Sequence, residues 1–369
     1  MKILFTNFHG RNGGGHVTYI VNLLHGLVGH HQVTVATPKS SRLYRHVQMI
    51  PGVNLVDMHY TTRPSSWFGP RAQLRRLIKQ GDFDIIHANG SADHKQVMLA
   101  LLGMRHRPKV VFTKHNEHTL TSFGHKLRAW LATDRVIAVS DYVNRLMMRS
   151  PYRRCGVVTV RHGIDIDFYA PVSATQKQVA RERFLGPGYV DKIVLGSAGG
   201  TDYEKGWLDL VQAIASLDPE DRARFHLIVA GDHPNEAKLA QVASAGLTEQ
   251  ITFPGLTDDV RDVLAACDAG FVLSYQEALS FACREIMSMG LPVLITRAGG
   301  LPENLDDGVQ GWIVPVKNPE AIATVLKNIL SDTAVLQPMG QAARMRAVKE
   351  FNLPDFVAQT VSVYQQVLN

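Results

Sequence analysis

Short apolar runs alternate with stretches of helical period along most of the chain. In the first half, "KILFTN", "QVTVAT", "VNLVDMHY", "DIIHAN", "KVVFTKH", "RVIAVS" and "GVVTVRHG" predict β-strands. Between them, "VTYIVNLLHGL" and "KQVMLALLGM" carry apolar residues at helical spacing. Strands alternating with helices predict βαβ units and a doubly wound parallel sheet. The pattern pauses at "DIDFYAPVSATQKQVARERFLGPGYVD", which is polar and holds Pro171 and Pro187, and so reads as a linker. It then restarts with "KIVLGSAG", "WLDLVQAIASL", "FHLIVAGD", "NEAKLAQVASAG", "ITFPG", "DVRDVLAAC", "AGFVLS", "LPVLITRAGG" and "GWIVPV". The reading is α/β: two Rossmann-like, doubly wound parallel-sheet domains, 1–168 and 191–352, joined by a linker at 169–190 and facing a cleft. Ligands of such sheets bind outside the carboxyl ends of the strands.

Length and charge sharpen this picture. The 369 residues suit two domains rather than one core. No apolar run approaches the roughly 18 residues of a membrane helix. The opening "MKILFTNFHG" is expected to be a strand rather than a signal peptide. Cys155, Cys267 and Cys283 are odd in number and lack metal spacing, which suggests reduced thiols in a cytoplasmic protein. The net charge of +6 conceals a split: residues 1–170 hold 23 Lys+Arg against 9 Asp+Glu, a net of +14. The remainder holds 16 against 24, a net of −8. A basic half suggests an anionic partner: nucleic acid, a membrane surface or a phosphorylated substrate.

The chemistry concentrates at predicted strand ends. After the first strand, "HGRNGGGHVTY" does not fit the dinucleotide fingerprint, and "QVTVATPKS" lacks the acidic residue that binds a ribose, so a nicotinamide dehydrogenase is disfavoured. Gly13, Gly14 and Gly15 still allow close backbone approach to a ligand; the alternative is a flexible turn. In the second half, "SAGGTDYEKGWLDLVQAI" sets a glycine-rich turn and Lys205 before a helix, an arrangement that suits phosphate. In "SYQEALSFACREIMSMGLPVLITRAGGLPE", Ser280 is placed to cap a helix beginning near Phe281. Glu285 is then placed to accept from vicinal ribose hydroxyls, and Glu277 from a sugar hydroxyl. Alternatively, both carboxylates form structural salt bridges with Arg284 and Arg297, which are near in sequence.

The order of these features resembles the family 4 glycosyltransferases. The resemblance is carried by "GGGHVTYIVNLLHGL", "DIIHANG", "KHNE", "RVIAVSDYV", "RHGIDIDFY", "YEKG", "EALSFACREIMSMGLPVLITRAGGLPENLDDGVQGWIV" and "EFNLPDFVAQTVSVYQQVL", and runs nearly the whole length. It implies the GT-B fold, retention of anomeric configuration, no metal or other cofactor, and a nucleotide-diphosphate sugar, by family default a UDP-sugar, as co-substrate. It also implies a C-terminal helix, 353–369, that crosses back to the first domain. By this resemblance Glu285 binds the donor ribose, Glu277 lies near the transferred sugar and Lys205 on the diphosphate. Gly14 and Gly15 approach donor phosphate and acceptor, His115 contacts the donor sugar, and the amides of Phe281, Ala282 and Cys283 meet the phosphate. Two positions depart from the family pattern. Gly199 and Gly200 stand where an arginine is common, leaving Arg11, Arg161 or Arg297 as candidates for that charge, with His16 beside the glycine turn. "HAN" at His87–Asn89 replaces a second histidine on the acceptor side.

The acceptor is sought in the basic half. "RPSSWFGPRAQLRRLIKQGD" sets Trp67 and Phe68 before a helix with Arg71, Arg75 and Lys79 on one face, a pattern that fits either an anionic membrane interface or a solvated basic face. With the +14 charge, this suggests an anionic, saccharide or lipid-linked acceptor and peripheral association with the inner face of the cytoplasmic membrane. His16, His30, His31, His94 and His118 show no metal pattern and are expected mostly at the surface. The leading reading is a retaining glycosyltransferase of bacterial lipopolysaccharide or envelope polysaccharide synthesis. A nucleotide-sugar 2-epimerase or hydrolase of the same fold is the second. A basic nucleic-acid-binding protein is the third, disfavoured by the lack of a nucleic-acid module.

Overall fold

A computed structural model describes residues 1–10, 14–61, 68–186, 191–257 and 259–369, apart from the Phe68 side chain. They form two compact units, Met1–Gly163 with Leu353–Asn369, and Ile164–Asn352.

The first unit is built on seven parallel strands: β1 (Lys2–Thr6), β2 (Gln32–Thr37), β3 (Val53–Asp57), β4 (Ile85–Ala88), β5 (Lys109–Lys114), β6 (Arg135–Ala138) and β7 (Val157–Thr159). Their order is β3-β2-β1-β4-β5-β6-β7. Inner strands are apolar runs buried on both faces, as helices on both sides of a parallel sheet require. The edge strands β3 and β7 are only partly buried, and β3 exposes Asn54 and Asp57. The order reverses between β1 and β4, the switch point at which such sheets open a crevice. The helix Leu353–Leu368 returns to this unit and lies against Gly15–Leu27. A methyl group at Gly26 would sit 2.5 Å from Val357, so glycine there lets the two helices approach.

The second unit repeats the plan with β8 (Ile193–Ser197), β9 (Phe225–Val229), β10 (Ile251–Thr252), β11 (Ala269–Val272), β12 (Val293–Thr296) and β13 (Gly311–Val314), in the order β10-β9-β8-β11-β12-β13, all parallel. Its switch point lies between β8 and β11. Trp207, Phe225 and Phe271 centre the core on one face of the sheet; Ile286, Met287 and Phe351 do so on the other.

The stretch read as a linker is not bare chain. Residues Ala174–Leu185 form a helix, opened by reciprocal capping between Ser173 and Gln176. Lys177 and Arg181 anchor it to the second unit through Asp268, the former at 2.7 Å. Among the described residues, no helix is long and apolar enough to cross a membrane.

Candidate active site

In the second unit, the segments after β8 and β11 meet at the switch point. Gly206 follows the turn Tyr203–Lys205 with φ of 66°, and a Cβ there would lie 2.0 Å from the Leu273 carbonyl oxygen. Only glycine permits this conformation and this approach together. The Tyr275 amide donates to the Glu204 carbonyl at 2.8 Å, closing the two segments on each other. As a result Lys205 Nζ stands 3.6 Å from Glu277 Oε2, both side chains partly exposed. An exposed pair of this kind contributes little to stability, and both groups stay accessible to a ligand. The neighbouring loops are laced by backbone: the Gly200 amide donates to Ala230 and the Gly231 amide to Gly255. The Gly231 Cα approaches Gly200 too closely for any side chain between them.

The helix Phe281–Ser288 starts at a strained residue. Ser280 holds φ of 86°, costly for a side chain and characteristic of functional sites, and its hydroxyl accepts from the Cys283 amide at 3.3 Å. Of the three amides expected at phosphate, that of Cys283 is therefore engaged by the cap, and its thiol is buried. Burial raises that thiol to about 12. One turn on, Glu285 is buried and receives a hydrogen bond from the Tyr169 hydroxyl. Desolvation raises its carboxyl to about 7, outweighing the tyrosine.

The salt-bridge alternative fares differently for the two carboxylates. Among the described residues Glu285 has no ion pair, whereas Glu277 pairs with Lys205. Arg284 Nε donates to Asn304 Oδ1 at 2.9 Å and its guanidinium lies over Phe351 at 4.2 Å. Arg297 is exposed just beyond β12.

In the first unit, a row of contacting histidine rings runs from beside Gly14 and Gly15 to His115. Gly14, at the N-cap of Gly15–Leu27, offers no side chain to close the first turn, which also lacks an acid. His9, His16 and His115 follow one another at ring-centroid distances of 4.4 and 4.2 Å, and Tyr19 meets His115 edge-on at 4.5 Å. Burial, reinforced by neighbouring imidazoles, holds His115 well below its usual range and His16 at about 3, so both are neutral. Asn89 donates both amide protons, to Thr6 and His87 carbonyls, leaving Oδ1 to accept from His115 Nε2 at 3.2 Å. That assigns the proton to Nε2 and leaves Nδ1 of His115 as an acceptor. His87 turns inward, hydrogen-bonded with Tyr364 (2.6 Å) and Thr113 (2.5 Å).

Other expected residues lie apart from these clusters. Arg11, Gly13, Trp67 and the Phe68 side chain fall outside the described residues. Arg161 is paired with Asp141 at 2.5 Å, so its charge is compensated within the first unit. Arg71 and Arg75 do not form a free basic face: they donate to the carbonyls of Leu99, Ala100 and Leu102, capping the end of helix Ser91–Leu101. Only Lys79 of that trio is exposed. His94, expected at the surface, is buried, stacked on Phe112 and hydrogen-bonded at Ala132 and Thr133. Three residues escaped the sequence reading. Lys317, 4.7 Å over the Tyr275 ring, has no local signal, and Tyr169 closes the "RHGIDIDFY" segment with nothing there to mark Glu285 as its partner. Lys114, lowered to about 8 by burial, opens "KHNE" and is the last residue of β5, a position that by itself marks no function.

Known proteins share this fold. A family model described as Glycosyltransferase Family 4 matches residues 13–168, and one described as Glycosyl transferases group 1 matches 192–332. N-acetyl-alpha-D-glucosaminyl L-malate synthase of Bacillus anthracis is 30% identical over 80% of this chain and 78% of its own length. The Anabaena protein HepE, solved in complex with UDP, superposes with a TM-score of 0.82 at 20% identity, covering 99% of this chain and 100% of its own. WaaG, a glycosyltransferase involved in lipopolysaccharide biosynthesis, gives 0.73 at 17% identity, covering 98% and 99%. The matched domains in order, the two parallel sheets and the 30% identical relative together establish that the chain belongs to the family 4 glycosyltransferases, with the GT-B fold.

Proposed function

We propose that this enzyme transfers a sugar, with retention of anomeric configuration, from a UDP-sugar to an anionic saccharide or lipid-linked acceptor. The setting we propose is lipopolysaccharide or envelope polysaccharide synthesis at the inner face of the cytoplasmic membrane. The observation that carries the donor assignment is the pairing of Lys205 with Glu277 beside a helix that buries Glu285. A ribose diol brought to Glu285 would supply the two hydrogen bonds that its carboxylate needs on ionising. Lys205 and the Phe281 and Ala282 amides would carry the charge that grows on the leaving phosphate, in place of a metal ion. Glu277 and Nδ1 of neutral His115 are suited to accept from hydroxyls of the transferred sugar. Retention follows in this reading from attack on the face the phosphate leaves, with the phosphate oxygen taking the acceptor's proton. HepE holds UDP on the same fold, which supports uridine as the base. The charge split supports an anionic acceptor.

The test is transfer from a panel of UDP-, GDP- and ADP-sugars to envelope glycans, with the product's anomeric configuration read by NMR. A product with the donor's configuration is expected, and an inverted product would overturn the mechanism. Donor conversion that proceeds equally without acceptor would favour the 2-epimerase or hydrolase instead.

A further inference from the structure

Arg71 and Arg75 of the basic face anticipated on the helix Phe68–Gly81 are engaged in capping, and another surface has the composition of a membrane contact. The helix Phe123–Leu131 buries only Arg128 and Ala129. Phe123, Leu127, Trp130 and Leu131 fall at i, i+4, i+7 and i+8, one stripe along the helix. Phe123 and Trp130 are 72% and 70% exposed, and Leu131 44%. At the end of the next helix, Asp141–Met148, Met148 is 50% exposed. Cys155 Sγ donates to the Ala129 carbonyl at 3.2 Å, which pins the turn Pro151–Cys155 against the stripe. Arg154 thereby lies over the Trp130 ring at 4.0 Å.

The charge around this apolar stripe is predominantly basic, with Glu117 hydrogen-bonded to Tyr142 on the neighbouring helix. Residues 123–155 hold seven Lys+Arg and two Asp. Both acids are spoken for: Asp134 pairs with Arg107 and Asp141 with Arg161. Lys126, Arg145, Arg149, Arg153 and Arg154 are exposed and, among the described residues, without an ion-pair partner. Large aromatics left in water beside uncompensated cations are costly on a surface that stays solvated, and they suit the boundary of an anionic bilayer. There the rings reach the acyl boundary and the cations meet lipid phosphates.

We propose that Phe123, Trp130, Leu131 and Met148, ringed by Lys126, Arg145, Arg149, Arg153 and Arg154, form a docking surface for an anionic phospholipid bilayer. The biological role of this surface rests on the reading of a membrane-borne acceptor given above, but its detection needs neither donor nor acceptor. Phe123 lies in the segment that follows β5, whereas Trp130, Leu131 and the turn Pro151–Cys155 lead directly into β6 and β7, so docking would bring the bilayer chiefly beside the amino ends of those strands.

The experiment is co-sedimentation of the full chain with phosphatidylcholine vesicles, with and without roughly a third phosphatidylglycerol. Binding is expected only to the anionic vesicles, and is expected to weaken at high salt. The variant Arg149→Glu/Arg153→Glu/Arg154→Glu is expected to lose about a hundredfold in partitioning. Phe123→Ser/Trp130→Ser is expected to lose about tenfold or more, and Arg76→Glu/Lys79→Glu, on the other helix, little. UDP binding by each variant checks that the chain is folded. Absence of binding to anionic vesicles would overturn the proposal, as would full binding by both patch variants. It would also fall if Phe123→Ser/Trp130→Ser abolished self-association of the chain while vesicle binding persisted, since the stripe would then be a protein interface. Vesicle binding without sugar transfer would leave the docking surface standing and defeat only the acceptor reading.

Discussion

Replacing Glu285 with glutamine is expected to stabilise the ligand-free enzyme, and to do so only at neutral and alkaline pH. Glu285 is 9% exposed, and burial raises its carboxyl to about 7 in the folded chain, against an ordinary value of 4.5. Between those values the unfolded chain has released a proton that the native state still holds, so stability falls as pH rises. Below 4.5 both states are protonated and nothing is lost; above about 7 the whole penalty is present. A shift of this size corresponds to about 3 kcal/mol. Glutamine keeps the acceptor that Tyr169 uses but carries no charge to desolvate. For a unit of this size, that is a rise of roughly 6–12 °C in Tm at pH 8, and almost none at pH 4.5. Calorimetric melting of wild type and Glu285→Gln across pH 4.5 to 8 measures it. An equal shift at both ends of the range, or a destabilised variant at pH 8, would show that burial does not govern this carboxyl. The same variant should bind UDP poorly, so that stability and function change in opposite directions at one residue.

Four other outcomes follow. Lys205→Ala should fold normally, since its ion pair is partly exposed, yet lose about two to three orders of magnitude in kcat/KM in steady-state assays. Chelators should leave wild-type activity unchanged. The first unit should show the opposite pH response to Glu285. His87 and His94 are buried with values near 3, so below 6.5 the unfolded chain takes up protons that the native state refuses. At least about 3 kcal/mol should be lost between pH 6.5 and 5, with His16 adding to it, read as lower hydrogen-exchange protection factors in the first unit; unchanged protection factors would contradict it. Gly206→Ala should destabilise the second unit by about 2 kcal/mol or more in urea melts, because its Cβ meets the Leu273 carbonyl at a left-handed φ.

The strands and the two-unit plan were legible because each is an apolar run bounded by turn residues, a local signal. What the sequence hid depends on distance along the chain. The helix Ala174–Leu185 looks like linker since its anchors, Lys177 and Arg181, act through Asp268 on a remote turn; its one local mark was the Ser173–Gln176 cap. Arg71 and Arg75 share a helical face as expected, but whether that face meets water or another helix's carbonyls cannot be read from spacing. The candidate donor site shows the same division. Lys205, Glu277 and Glu285 stood out because carboxylates and a lysine interrupt small apolar stretches at strand ends. Tyr169 did not, because its partner Glu285 lies on a helix more than a hundred residues away.

The donor assignment is tested most directly by isothermal titration of UDP into wild type and Glu285→Ala at pH 8. The account predicts a single saturable site in the wild type and a loss of about tenfold to a hundredfold in affinity in the variant, the range for hydrogen bonds from ribose to a charged carboxylate. Equal affinity in the two proteins would contradict it and return Glu285 to a buried acid held by Tyr169 alone.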